Sequence, residues 1–99
     1  MRPPTPSSAA VRVLKTDVEL YTYLVRLATS LRSRGASKPA LMLDDARAYA
    51  ASSSMEFLGE SRIALRQLLT QHRELLVDLE QREVEEVVAQ IEQAVVFRR

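Results

Sequence analysis

The chain has no cysteine, no tryptophan, two glycines and one histidine in 99 residues. Absent thiols remove disulfides and thiolate chemistry, and they fit a cytoplasmic setting. Two glycines cannot make a phosphate-cradling loop. The lone His72 has no helical company for a metal, because positions 68, 69, 75 and 76 are all leucine. No metal and no cofactor are therefore expected. No stretch approaches the length of a membrane span. The opening Met1-Arg2-Pro3-Pro4-Thr5-Pro6 lacks the apolar run of a secretory signal.

What is present suits one small folded domain over 9–99 behind a Pro/Ser-rich tail, 1–8, expected to be flexible. The chain is 46% hydrophobic and 27% charged, which excludes wholesale disorder. Its core must be built from leucine, valine and alanine, since only two phenylalanines and three tyrosines are available. In so short a chain, such a core gains from a second copy or a partner. Residues 1–38 hold seven basic and two acidic residues, and residues 39–99 hold seven and eleven. A basic helix beside an acidic one is the plain reading of that split; a docking surface for a charged partner is the sharper one.

The spacing of apolar residues predicts four helices. The first starts between Ala9 and Thr16 and runs to Arg34. Thr16 with Glu19 forms a capping box, in which each side chain satisfies a backbone N–H that the first turn leaves unpaired. Val11, Leu14, Val18, Tyr21, Val25 and Ala28 make one stripe on it, and Leu20, Leu24, Leu27 and Leu31 make another. Arg32 and Arg34 suit the carbonyl end of the helix, and Gly35 suits the residue beyond it. The second helix is expected over Pro39–Ala51, with Leu41, Ala46, Tyr49 and Ala50 buried and Asp44, Asp45 and Arg47 facing water.

Ser53 with Glu56 is a second capping box, opening a third helix over 54–76. Its inner face is expected to hold Leu58, Leu65, Leu68, Leu69, His72, Leu75 and Leu76. The remaining stripe is Val84, Val87, Val88, Ile91 and Val95. Five helical turns are about 18 residues, so a continuous helix would repeat its apolar face at that interval. The two stripes instead slip by about one residue, or roughly 100°. A break near Val77–Glu80 explains the slip, with Asp78 and Gln81 as a cap for a fourth helix over 80–97. One unbroken helix is the alternative.

The chemistry-bearing residues are few. Glu85-Glu86 and Asp44-Asp45 are consecutive, so they point about 100° apart on a helix and form no carboxylate dyad. The segment Ala48–Leu58 loosely follows a helix-turn-helix pattern, which would make Arg62 and Arg66 the reading residues. Glu56 and Glu60 would then lie against phosphates, which argues for an ordinary capped helix start. His72 on a leucine-rich face reads first as a core-edge histidine.

Arg66-Gln67-Leu68-Leu69-Thr70-Gln71-His72 resembles, over those seven residues, the Arg-x(4–6)-His motif of the HEPN ribonucleases. The resemblance implies a helical domain in which His72 would serve acid–base cleavage and Arg66 would stabilise phosphate charge. Nothing else supports a catalytic constellation, and no enzyme is expected.

The expectation is therefore an all-α, antiparallel four-helix, bundle-like domain acting as a protein–protein interaction module. It would be a homodimer in a bacterial cytoplasm, the excess of arginine over lysine pointing to a GC-rich genome. Leu20, Leu24, Leu27, Leu31, Val84, Val88, Ile91 and Val95 are the residues offered for its interface. Nucleic-acid binding through the basic N-terminal third, Arg62 and Arg66 is the alternative.

Overall fold

The structure, a computed structural model, describes the backbone of residues 16–98 and the side chains of residues 16–95. Residues 1–8 and the apolar Val11 and Leu14 lie outside the described residues. Among the described residues four helices follow in order: α1 Asp17–Ser33, α2 Ser37–Arg47, α3 Ser54–Gln71 and α4 Asp78–Arg98. Short 3-10 turns at Ala48–Ala51 and Arg73–Leu75 complete the connections. No strand occurs among the described residues. The fold is all-α and bundle-like.

Local chemistry sets the ends. Thr16 is extended, and its hydroxyl accepts from the Glu19 amide at 3.1 Å. Ser53 does the same for the Glu56 amide at 3.1 Å. At the end of α1, Gly35 adopts φ 80°, a left-handed conformation that glycine takes without a Cβ penalty. The amides of Gly35 and Ala36 then return to the carbonyls of Arg32 and Leu31 at 2.9 Å each. Ala36 is buried with Leu31, so this stop is polar and apolar at once.

The second helix begins at Ser37, two residues earlier than expected, and Pro39 sits buried in its first turn. Its inner face also differs. Pro39, Ala40, Leu43 and Ala46 are buried, whereas Leu41 is 56% exposed and Tyr49 and Ala50 face solvent. The helix tightens to 3-10 at Ala48, which turns Tyr49 and Ala50 out. Asp44 does not simply face water: it lies between Arg32 and Arg47.

The third and fourth helices are separate. The α-helix stops at Gln71, before the expected Leu76, and the chain turns through His72–Val77. Glu80, rather than Asp78, supplies the restart, accepting from the Val77 amide at 3.0 Å. Gln81 contributes by donating to the carbonyls of Arg73 and Leu76, at 3.2 Å each.

Charged pairs give the helix directions. Arg73 meets Glu85, while Arg62 and Arg66 meet Glu92, so α3 and α4 run antiparallel. Arg32 with Asp44 and Arg47 with Tyr21 likewise set α2 back along α1. The overall extents are 39 × 37 × 21 Å. At about 10 Å per helix the molecule is two helices deep, so every helix keeps an outward face.

One core runs through all four helices. It holds Leu20, Leu24, Leu27, Ala28 and Leu31 from α1, Leu43 from α2, Phe57, Leu58, Leu65 and Leu68 from α3, and Val84, Val87, Val88 and Ile91 from α4. Of the two stripes on α1, the leucine stripe is therefore the inner one. Val18, on the other stripe, is 73% exposed.

Ser61 is the polar exception in this core: it is fully buried, and its hydroxyl has no hydrogen-bond partner. An unsatisfied buried hydroxyl costs about 1–3 kcal/mol, and alanine is also the better helix former. Ser61→Ala is expected to raise stability by about 1 kcal/mol. The measurement is a urea midpoint that rises with the slope unchanged. A lowered midpoint would show that the hydroxyl has a partner in solution.

Candidate functional site

The residues that sequence offers for an interface lie inside the single chain. Leu20, Leu24, Leu27, Leu31, Val84, Val88 and Ile91 are buried against one another, and Val95 packs half-buried at the edge of the same core. A side chain already enclosed by its own chain has no surface left for a partner. The periodicity was real, but it marked the intramolecular seam.

Arg66 and His72 are not brought together. Six residues on an α-helix are about 600°, so the two positions lie roughly 120° apart around the axis. His72 has also left the helix, with φ −133° at the C-cap. The Arg66 guanidinium is engaged elsewhere, donating to Glu92 at 3.0 Å. Arg62 shares the same carboxylate at 2.8 Å. That carboxyl is held below its ordinary value, first by the hydrogen bond from Arg62 and then by that from Arg66.

Most arginines among the described residues are tied in this way. Arg34 grips Glu80 with two bonds of 2.6 and 2.7 Å and donates to the Leu75 carbonyl at 3.1 Å. Arg73 reaches Glu85, Gln81 and the Leu69 carbonyl. Arg47 lies over the Tyr21 ring, 5.4 Å from its centre, and donates to the Tyr21 hydroxyl at 2.6 Å. Positive charge shared with carboxylates is weakly available to phosphates. Arg62 and Arg66 both join α3 to α4 through the Glu92 carboxylate. No group of carboxylates and imidazoles that could hold a metal occurs among the described residues. No described helix is long and apolar enough to cross a membrane.

Between α1 and α4 lies a polar cluster. The Tyr23 hydroxyl is buried without a partner, and its ionisation is pushed well up by burial, then by Glu83 and Glu80, with Arg26 opposing. Glu83 is raised too, by burial first and Glu80 second, again with Arg26 opposing. Tyr23, Glu80 and Glu83 are half-buried and Arg26 is exposed, and the Tyr23 hydroxyl makes no hydrogen bond to either carboxylate.

The outward face of α3 is different. Met55 is 42% exposed and Ile63 49% exposed. Both sit four residues from Gly59, so the three form a ridge spanning about 80° of the helix. Arg66 and Thr70 continue it, exposed. Phe57, Ser61, Ala64, Leu65 and Leu68 occupy the opposite, buried side. At Gly59 a Cβ would meet nothing within 4 Å. Glycine in a helix interior costs about 1 kcal/mol relative to alanine, and nothing among the described residues requires it.

Sequence reading passed over this ridge because Met55, Gly59 and Ile63 fall outside the leucine stripe. The signal available was the i, i+4, i+8 spacing of the three residues. No known protein family, curated protein or solved structure matches the chain.

Proposed function

We propose that this chain is an interaction module without catalysis of its own: an adaptor, an immunity- or antitoxin-type binder, or a subunit of a larger complex. A bacterial cytoplasm is the setting that its cysteine-free, arginine-rich composition suits. The observation that carries the reading is the outer face of α3, where two large apolar side chains flank an open glycine. Single exposed apolar residues are ordinary on any surface. A ridge of them around a helix-weakening glycine that no described residue crowds is what a docking helix would need.

The test is capture from the host's own lysate with the tagged wild-type chain and an Ile63→Asp variant, the eluate being analysed for protein and nucleic acid. One protein in stoichiometric amount, either a second species or another copy of the chain, is expected with the wild type and is reduced about tenfold or more in the variant. Recovery of monomeric bait alone, or of nucleic acid that survives moderate salt, would overturn the reading.

A further inference from the structure

We propose that the α3 ridge docks against the same ridge of a second copy, with the two helices antiparallel across a two-fold axis near residue 61. This rests on the interaction reading above and names the partner. A two-fold contact is isologous, so each surface must complement itself. The α3 ridge does so in one orientation. Positions 59 and 63 are equidistant from residue 61, so an antiparallel pair sets each Ile63 level with the partner's open Gly59. A large side chain then meets a position with no Cβ, and the helices approach closely at both places.

Charge selects the same orientation. Glu56 and Arg66 are each five residues from position 61, on the exposed side of α3. Antiparallel pairing sets each Glu56 level with the partner's Arg66, giving two opposite-charge pairs. Parallel pairing in register would instead set Glu56 against Glu56 and Arg66 against Arg66. Arg66 stays 55% exposed in its side chain while bound to Glu92, and one bond to that carboxylate leaves other guanidinium donors free. Glu56 is exposed, with its carboxylate 3.4 Å from the Ser53 hydroxyl. Met55 would lie beyond the charge pair and cover its aliphatic stem.

The experiment is the molar mass of the full chain across concentration, by light scattering or sedimentation. The wild type is expected to dimerise. Gly59→Gln fills the notch with a good helix former, so it should weaken the dimer about tenfold or more while the monomer unfolds no earlier than wild type. Separating dimerisation from folding in this way distinguishes the contact from a mere fold defect.

Glu56→Arg and Arg66→Glu should each weaken the dimer, and the chain carrying both should recover it, because the pairs are then restored with reversed sign. A wild type that stays monomeric, or a dimer of unchanged strength in Gly59→Gln, would overturn the proposal. So would a double reversal no better than its single variants. If the lysate experiment still captures a stoichiometric protein of another kind, the wider interaction reading stands and this inference alone falls.

Discussion

Phe57→Ala should cost about 3–5 kcal/mol, a large share of the roughly 5–15 kcal/mol that holds a small domain together. Phe57 is the largest fully buried side chain among the described residues, and it is placed at the junction of two helices. Its ring centre lies 6.5 Å from that of Tyr21 on α1, within the contact range of aromatic pairs. Tyr21 is in turn held by Arg47 at the end of α2. Truncation would therefore leave a cavity where α1 meets α3 and loosen the ring on which Arg47 rests. Leu41→Ala is the comparison. Leu41 looks like core in the sequence, yet it projects from α2 into solvent, so its loss should cost within about 0.5 kcal/mol. Urea unfolding of the two variants decides the matter, and similar losses for both would contradict the packing described.

Removing Glu80 should be the most damaging change to a surface charge, because two duties end together. Its carboxylate receives both Arg34 bonds, which link the end of the first helix to the last, and it accepts from the Val77 amide that opens α4. A lost helix cap costs about 1 kcal/mol. An ion pair whose arginine is about one-third exposed adds about another at most. Glu80→Ala is thus expected to lose about 2 kcal/mol at neutral pH.

The pH dependence has a definite sign. The hydrogen bonds from Arg34 chiefly, and that from Val77, hold the Glu80 carboxyl below its ordinary 4.5 against the opposing effect of burial. A depressed folded value means that the stabilisation is complete above the unfolded value and is lost as pH falls through the folded one. Glu83 works the other way. Burial raises it, so the fold favours its neutral form, and its contribution grows as pH falls through that raised value. Thermal melts at descending pH should show wild type losing stability below about pH 4.5 more steeply than Glu80→Ala. Equal slopes would mean that the Arg34 pair is not formed in solution.

Much of this architecture could be read directly from the residues. The Thr16 and Ser53 caps, the glycine stop after α1 and the separation of α3 from α4 each rest on chemistry local to a few positions, and local chemistry is what a single sequence displays. The leucine stripe of α1 and the valine stripe of α4 were equally visible as inner faces. Their assignment to a partner was not, because periodicity tells that a face is covered without telling by what.

The errors on α2 have a similar cause. In an eleven-residue helix with mixed alanine and leucine, two faces are nearly equal in apolar content. The choice fell to α1 and α3, which enclose Leu43 and leave Leu41 outside. The motif from Arg66 to His72 rests on spacing alone, and spacing along the chain ignores where a helix ends. The ridge around Gly59 was missed for the converse reason, since it becomes conspicuous only once the opposite face is known to be buried.

The Arg34–Glu80 grip has a consequence for how the molecule comes apart. Helices that touched only their neighbours along the chain would form an open row, and an open row frays from either end, as stacked repeats do. A bond between α1 and α4, with a further one from Arg34 to the Leu75 carbonyl 41 residues away, closes the row into a ring. A ring has no loose end. Peeling α4 from α3 breaks these bonds and opens the core that all four helices share, so the domain should open in one step rather than unzip helix by helix.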